Sequence, residues 1–187
     1  MQPTARVTDD EYLAQERLAQ EKHELVNGHI VAMSGASPRH NAIVSNVVIA
    51  LGPQLRGKGC RPLASDQRVH VPRTGLYTYP DVIVVCGPLE LHPRDPMTIV
   101  NPRLIVEVLS ATTEAYDRGA KFAHYRAISS LLTYVMLSQD EARAERFERG
   151  EGGVWTLHET VSEDDLVALP SIDATLSMRE LYADLPA

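Results

Sequence analysis

Two uninterrupted apolar segments constrain the fold of this chain more than any other feature. The runs VIVV at 82–85 and LIV at 104–106 show no alternation of apolar and polar residues, which is typical of strands buried on both faces. The sheet that contains them must be covered on both sides, and we expect helices there. Candidate strands at 143–148 and 154–158 add an antiparallel meander. The sequence therefore predicts an α/β (α+β) fold, a mixed β-sheet core flanked by helices.

Local signals place the remaining elements. Thr8 and Glu11 have the spacing of a capping box, which predicts a helix from 9 to about 22. Asn27-Gly28 is a preferred pair for a type I′ turn, here between strands at 23–26 and 29–32. Further patterns predict a helix over 40–55, a basic turn at 56–61, strands at 68–71 and 81–86, a Pro-rich loop through 88–96, strands at 104–109 and 132–137, a helix over 114–127 and a last helix that begins at 177.

The length and composition indicate one soluble domain. A chain of 187 residues has the usual size of one domain, so we expect a single domain over 1–187. No apolar run reaches the roughly 18 residues of a membrane-spanning helix, and no secretory signal is present. We therefore expect a cytoplasmic protein with no membrane partner. Cys60 and Cys86 belong to no Cys-x-x-Cys or zinc spacing, and we expect both to be buried free thiols.

The charge of the chain disfavours one class of function. The net charge is -7 and the pI is about 5.5, whereas proteins that coat nucleic acid present a broad basic face. Binding of nucleic acid is compatible with this charge only where a basic groove or metal ions offset it locally. The sequence also contains no Gly-rich phosphate loop, no Ser-x-x-Lys or Gly-x-Ser-x-Gly nucleophile and no His-Glu-x-x-His zinc site.

Two acidic residues stand in or beside the buried strands. Glu107 lies inside an apolar segment, where desolvation of its charge costs several kcal/mol unless a cation compensates. A bound metal ion and a structural ion pair with Arg or Lys would both compensate it. Asp81 follows Pro80 and is either a site residue or a turn residue. Because carboxylates from two neighbouring strands can converge on one Mg²⁺, we interpret the pair as metal ligands, with Mn²⁺ as the alternative ion.

Two further candidates come from the hairpin and from the second helix. The Asn27-Gly28 turn places Glu24 opposite Val31, so Glu24 shares a face with an apolar residue and could be a third acidic ligand. An exposed strand glutamate is the alternative. His40 precedes the second helix and is either a structural histidine or a residue that contacts the ligand side chains without binding the metal itself.

The helix expected over 114–127 carries a polar stripe. Asp117, Lys121 and Tyr125 follow one another at intervals of four residues, which places them on one helix face. The stripe is either part of the site or a surface Asp-Lys pair. We retain Asp117 and Tyr125 as supporting candidates and Lys121 as a candidate residue of the site itself.

Motifs spread over nearly the whole chain resemble one protein family. They include Thr-x-x-Glu-Tyr-Leu at 8–13, Glu-Leu-Val-Asn-Gly-His-Ile at 24–30 with Met33, His40, Tyr-Pro-Asp-Val-Ile-Val-Val at 79–85, Pro-Arg-Leu-Ile-Val-Glu-Val-Leu-Ser at 102–110, and Asp117-Arg118 with Lys121 and Tyr125. Together they resemble the Uma-two family, a widespread bacterial group placed among restriction-endonuclease-like folds.

The resemblance implies a PD-(D/E)XK nuclease core. Pro80-Asp81 would supply its first half and Glu107-Val108-Leu109 its second. The wider superfamily has a lysine where this chain has Leu109, and the resemblance suggests that Lys121 supplies the amine instead. Asp81, Glu107, the Val108 carbonyl and Glu24 would then hold Mg²⁺ for hydrolysis of DNA phosphodiester bonds.

Two other functions remain open from the residues alone. One is a nuclease-like fold without activity that acts as a binding or assembly module, for which a homodimer is one form. The other is a metal-dependent hydrolase of small phosphorylated molecules, which suits an acidic surface better than DNA does.

Overall fold

In the part of the chain that the structure describes, the β-structure divides into two six-stranded sheets and one separate hairpin. The computed structural model describes residues 6–186. The strands are β1 (His23–Val26), β2 (His29–Ala32), β3 (Cys60–Ala64), β4 (Arg68–Val71), β5 (Leu76–Thr78), β6 (Val82–Cys86), β7 (Leu91–His92), β8 (Asp95–Ile99), β9 (Leu104–Leu109), β10 (Thr133–Ser138), β11 (Ala144–Arg149), β12 (Trp155–Thr160), β13 (Leu166–Leu169) and β14 (Ala174–Ser177).

Among the described residues the helices are few, and only one of them is long. No helix within residues 6–186 has the length and apolar character needed to span a bilayer. The helices are α1 (Asp9–Glu16), α2 (Pro38–Leu55), α3 (Glu114–Tyr116), α4 (Phe122–Tyr125) and α5 (Met178–Leu181), with a π-helical turn at Asp117–Lys121 and 3₁₀ turns at Glu151–Gly153 and Pro170–Ile172.

The central sheet has the strand order β12-β11-β10-β9-β6-β3. Strand β9 pairs parallel with β10 and antiparallel with β6, so the sheet is mixed. Every residue of β9 is buried, as are the first four of β6. The N-terminal sheet has the order β2-β1-β5-β4-β8-β7. The predicted mixed sheet with an antiparallel C-terminal meander is confirmed by this topology.

The two faces of the central sheet are covered in different ways. On one face, Ile43 and Val47 of α2 pack in one buried cluster with Val106 of β9. On the other, Ile105 of β9 packs in a cluster with Phe122 of α4 and with residues of the N-terminal sheet. The expectation of helices on both faces is therefore correct for one face and incomplete for the other, where a second sheet supplies most of the cover.

The helix and turn signals near the N-terminus have direct structural counterparts. Both hydrogen bonds of the Thr8–Glu11 capping box are present, but α1 ends at Glu16 and not near residue 22. Residues 17–21 are all exposed, with Leu18 at 87%, so no buried face stabilises further turns. Asn27 and Gly28 both have positive φ, 52° and 81°, as a type I′ turn requires.

Several elements differ from the sequence prediction. The Pro-rich segment contains β7 and β8, and the basic turn leads into β3. Strands β3 and β8 pair with β6 and β4, which are distant in sequence, whereas β7 pairs with the neighbouring β8. No sequence pattern described above predicts strands β5, β13 and β14. The helix predicted over 114–127 is divided by the π-helical turn.

The prediction of two buried free thiols is wrong. Cys60 of β3 and Cys86 of β6 form a disulfide and are each only half-buried. They lie directly opposite each other in the antiparallel β3–β6 pair, with their Cα atoms 4.0 Å apart. Strand pairing that was not predicted thus places the two sulfur atoms within bonding distance.

Candidate active site

Asp81 and Glu107 meet at the start of β6. Asp81 immediately precedes β6, and Val82 pairs with Val106 in the register of β6 and β9. The Asp81 N–H donates to Glu107 Oε2 at 3.3 Å, and the Val108 N–H donates to Asp81 Oδ2 at 2.8 Å. Each acidic residue is thus tied to the strand that carries the other.

The main chain at Val108 extends this arrangement. Within an extended strand, the N–H and C=O of one residue point to the same side. Because the Val108 N–H faces Asp81, its carbonyl oxygen faces the same side of β9. Two carboxylates and one main-chain carbonyl are therefore directed to one region.

Lys121 lies at the centre of an acidic cluster. Its Nζ is 2.9 Å from Glu107 Oε1, 3.3 Å from Asp117 Oδ1 and 3.5 Å from Glu24 Oε1. Its side chain is only 8% exposed. Asp117 and Lys121 bound the π-helical turn, a wide turn that is often found at functional sites. The turn directs both side chains inward, toward β9, and so excludes the alternative of a surface Asp-Lys pair.

The hydroxyl groups of Tyr125 and Thr78 hold two of these carboxylates. Tyr125 donates to Glu107 Oε1 at 2.7 Å, and Thr78 donates to Glu24 Oε1. Glu24 is paired with Val31 in the hairpin and is 7% exposed, so it is not an exposed strand glutamate. Thr78 was not among the sequence candidates. Its position three residues before Asp81 was the one signal that could have suggested it.

His40 reaches the site from the first turn of α2. Its Nε2 lies 3.2 Å from Asp81 Oδ2. The hydroxyl of Ser37 accepts a hydrogen bond from the His40 N–H and caps the helix. This contact fixes the position of the His40 backbone, from which the imidazole extends. Burial lowers the pKa of His40, but the hydrogen bond and charge of Asp81 outweigh this effect and leave the pKa above its usual value.

The electrostatics of the cluster show a surplus of negative charge. Burial raises the pKa of Glu107 to about 8, Lys121 opposes this shift, and Asp81 and Asp117 add to it. Burial likewise raises the pKa of Asp117, against the charge of Lys121. Burial lowers the pKa of Lys121, yet the surrounding carboxylates, Glu107 foremost, hold it well above its usual value. The Lys121 ammonium therefore lies within 3.5 Å of three acidic side chains, those of Glu107, Asp117 and Glu24. Asp81 adds a fourth acidic side chain beside Glu107.

The donor set suits a hard divalent cation held by few protein ligands. Within residues 6–186, no three His, Cys, Asp or Glu side chains converge into a complete metal cage. Mg²⁺ does not require one, because it retains several waters and is commonly bound by one or two carboxylates together with substrate phosphates. Asp81 Oδ1 bonds no other group of the described chain, and the Asp81 side chain is 16% exposed. The surplus acidic charge and this accessible oxygen fit such an ion.

Comparisons with known proteins identify the family. A family model described as "Putative restriction endonuclease" matches residues 9–179. Two uncharacterized proteins of Synechocystis sp. are similar to this chain: slr1290 is 33% identical over 98% of this chain and 95% of its own length, and sll1609 is 32% identical over 86% and 91%.

A solved structure has the same fold. The crystal structure of a "putative nuclease" from Anabaena variabilis matches with a TM-score of 0.77 over 95% of this chain and 98% of that one, at 18% sequence identity. At that identity the likeness shows the fold alone. The family match covers most of the chain, including Glu24, Asp81, Glu107 and Lys121. The chain belongs to the Uma2 family of restriction-endonuclease-like proteins.

Proposed function

We propose that this chain is a Mg²⁺-dependent nuclease that hydrolyses phosphodiester bonds of DNA. The observation that carries the proposal is the contact between Asp81 and Glu107 beside the buried ammonium of Lys121. Membership of a family described as "Putative restriction endonuclease" supports a nucleic-acid substrate. The net charge of -7 is compatible with such a substrate when a cation at the carboxylates offsets it locally.

The side chains divide into those that would hold the ion and those that orient them. Asp81, Glu107 and the Val108 carbonyl would be the ligands, and Mn²⁺ would be accepted at the same oxygen atoms. Glu24 is a candidate additional ligand. A bound divalent ion supplies Lewis-acid polarisation of a phosphoryl oxygen and lowers the pKa of a water molecule. His40 orients Asp81, and Tyr125 orients Glu107, through the contacts described above.

Lys121 takes the role that the wider superfamily gives to a strand lysine. Its ammonium is already held by Glu107, Asp117 and Glu24, so little reorganisation is needed before it can interact with substrate. Positioned positive charge stabilises the negative charge that develops on the phosphoryl oxygens. This role requires an ammonium group near the reacting atoms, and either a strand or a helix can carry that group.

The first prediction tests the site by removing charge at two positions. Glu107→Gln and Lys121→Met should each lower Mg²⁺-dependent cleavage of plasmid and oligonucleotide DNA by at least about 100-fold, the loss typical of removing one preorganised electrostatic group. Initial cleavage rates with Mg²⁺, with Mn²⁺ and with EDTA provide the measurement. Glu163→Gln, at an exposed position outside the site, is the matched control and should cleave normally.

Three results would contradict the proposal. Cleavage by Glu107→Gln at the wild-type rate would exclude the site. Cleavage of mononucleotides with no cleavage of DNA would favour a hydrolase of small phosphorylated molecules. Absence of any Mg²⁺ or Mn²⁺ binding by calorimetry would favour a binding module without activity.

A further inference from the structure

An open groove of about 810 Å³ lies on the far side of α4 from Lys121 and Tyr125. One wall is the segment from Ala123 to Ser129, and the other includes the β4–β5 turn at Pro72 and Arg73. Arg149 of β11 and Trp155 of β12 also line it. The groove thus lies between the N-terminal sheet and the free edge of the central sheet.

The charge of the groove is opposite to that of the whole chain. Three arginines line it, Arg73, Arg126 and Arg149, with Glu90 as the one acidic residue among the lining groups. None of the three arginines forms an ion pair with a carboxylate of residues 6–186. In a chain of net charge -7, three arginines without carboxylate partners in one groove indicate an anionic occupant.

Arg149 is fixed in place and forms the floor of the groove. Its guanidinium donates to the carbonyl oxygens of Ile128 at 2.9 Å and Ser129 at 3.2 Å, and to that of Arg126. It also lies 4.8 Å from the centre of the Trp155 ring, a cation-π arrangement. The floor is therefore a preorganised basic and aromatic surface.

Arg73 and Arg126 are the accessible cations at the rim. Both are exposed, and the Arg126 guanidinium lies 5.3 Å from the centre of the Phe122 ring. Their charges are available because no carboxylate of the described chain neutralises them. Arginine suits phosphate recognition, since its planar fork can donate two hydrogen bonds to one phosphate.

The groove and the candidate active site share one helical segment. Arg126 follows Lys121 by five residues, about 8 Å along a helix axis at 1.5 Å per residue. Successive phosphates of one strand in a duplex are spaced about 3.4 Å along its axis. The groove lies on the opposite face of this segment, which is about 10–12 Å across with its side chains, so a strand that passes the site and continues around the segment would reach the groove after several phosphates.

We propose that this groove binds the phosphate backbone of one strand of nucleic acid beside the scissile bond, with Arg73 and Arg126 contacting phosphates above the Arg149–Trp155 floor. The proposal rests on the proposed function in taking the substrate to be DNA. It adds a binding surface that uses none of the residues assigned to the ion or to catalysis. Binding at the groove therefore requires no divalent metal.

The test measures binding separately from cleavage. A fluorescein-labelled single-stranded 12-mer is titrated with Glu107→Gln protein in EDTA, and the fluorescence anisotropy is recorded at several salt concentrations. Adding Arg73→Gln and Arg126→Gln together should raise Kd about 10-fold. The two substitutions should also make the association constant less dependent on salt. The negative slope of its logarithm against log salt should become shallower by about 1.4, since each phosphate contact to a single strand contributes about 0.7.

Matched variants control for unspecific loss of charge. Arg56→Gln with Arg61→Gln removes two exposed arginines outside the groove and should change Kd less than twofold. Arg126→Lys should retain most of the affinity. The chain contains one tryptophan, and Trp155 lines the groove, so its emission should change on binding in the parent protein and not in the groove variant.

The two proposals fail in different ways. Normal binding by the groove variant overturns the groove, whatever the cleavage assay shows. Groove-dependent binding together with unchanged cleavage by Glu107→Gln overturns the proposed active site alone. Absence of DNA binding by the parent in EDTA, or equal competition by poly-glutamate of the same charge, also overturns the groove as a nucleic-acid site.

Discussion

His70 lies in the N-terminal sheet with both ring nitrogens buried. The residue is 5% exposed, and neither nitrogen has a hydrogen-bond partner among residues 6–186. Its ring stacks on Tyr77, with centroids 4.0 Å apart, and lies edge-on to His92 at 4.9 Å. Burial lowers the pKa of His70 to about 4, and the neighbouring His92 adds to this shift. His70 is therefore neutral in the folded protein at neutral pH.

The second prediction concerns acid stability. Between pH 6.5 and 4 the unfolded chain binds a proton at His70 that the folded protein does not, so the free energy of unfolding falls as the pH falls through this window. At pH 5 the loss due to His70 should be about 2 kcal/mol. Urea unfolding at pH 7 and pH 5 should show that the free energy of unfolding of His70→Phe falls by about 2 kcal/mol less than that of the wild type.

A matched histidine separates this effect from general acid sensitivity. His70→Phe sacrifices no hydrogen bond of the described chain and keeps a flat ring against Tyr77, so at pH 7 it should be at least as stable as the wild type. His158→Phe, at an exposed position of β12, should leave the pH dependence unchanged. If His70→Phe and the wild type lost equal stability at acid pH, protonation of His70 would not be a cause of the acid destabilisation.

At the scale of single residues, the sequence predicted the acidic candidates better than their partners. A carboxylate in the apolar run at 104–109 required a compensating cation, and the structure provides Lys121 as one. The two explanations offered for Glu107, an ion pair and a metal site, are therefore compatible. Thr78 was missed because its contact with Glu24 arises from the pairing of β1 with β5, which no local pattern indicates.

The π-helical turn is the element that places Asp117 and Lys121, and it contains Gly119. A Cβ added at Gly119 would meet no atom within 4 Å, and its φ is not positive. A glycine in such a position lowers stability through its backbone entropy and performs no steric function. Gly28, in contrast, has a φ of 81° and lies against the side chain of Arg6.

The third prediction uses this pair of glycines. Gly119→Ala should raise the free energy of unfolding by about 0.5–1 kcal/mol and leave DNA cleavage unchanged. Gly28→Ala should lower it by about 1–2 kcal/mol, because alanine is strained in the left-handed region. Urea unfolding of the two variants gives the values. Loss of stability in Gly119→Ala would mean that the turn requires glycine.

At the scale of elements, the sequence predicted those helices and strands whose signals are local. The α2 stripe, the capping box of α1 and the type I′ hairpin were all recognisable from the sequence. Strand β3 extends beyond the predicted basic turn, and β7 and β8 lie in the predicted Pro-rich loop. Local patterns do not indicate β3 and β8 because these strands depend on the distant partners β6 and β4, and β7 in turn pairs with β8. The Cys60–Cys86 bridge was missed for the same reason, since it depends on the register of β3 with β6.

For the whole molecule, the two sheets share a buried cluster. Val69 and Leu76 of the N-terminal sheet pack in the same cluster as Ile83 and Ile105 of the central sheet. Because both sheets contribute to this cluster, unfolding of either sheet would expose the buried side chains of the other. We therefore propose that residues 1–187 form one cooperative domain.

The fourth prediction tests this cooperativity. Leu25→Ala removes a fully buried side chain of β1 and should lower the free energy of unfolding by about 2–5 kcal/mol. The midpoint recorded by Trp155 fluorescence, which reports on the central sheet, should fall by the same amount as the midpoint recorded by far-UV circular dichroism. Two separate transitions, with the fluorescence midpoint unmoved, would indicate two domains.

The parallel pairing of β9 with β10 has a consequence for the evolution of the site. Parallel neighbours need a long connection that returns the chain to the end of the sheet where it started, and here that connection contains Lys121. In this chain the returning segment packs against the face of β9 that carries Ile105, and Lys121 lies 2.9 Å from Glu107. A basic residue on the returning segment can therefore substitute for one on the strand itself, which frees position 109 to remain apolar.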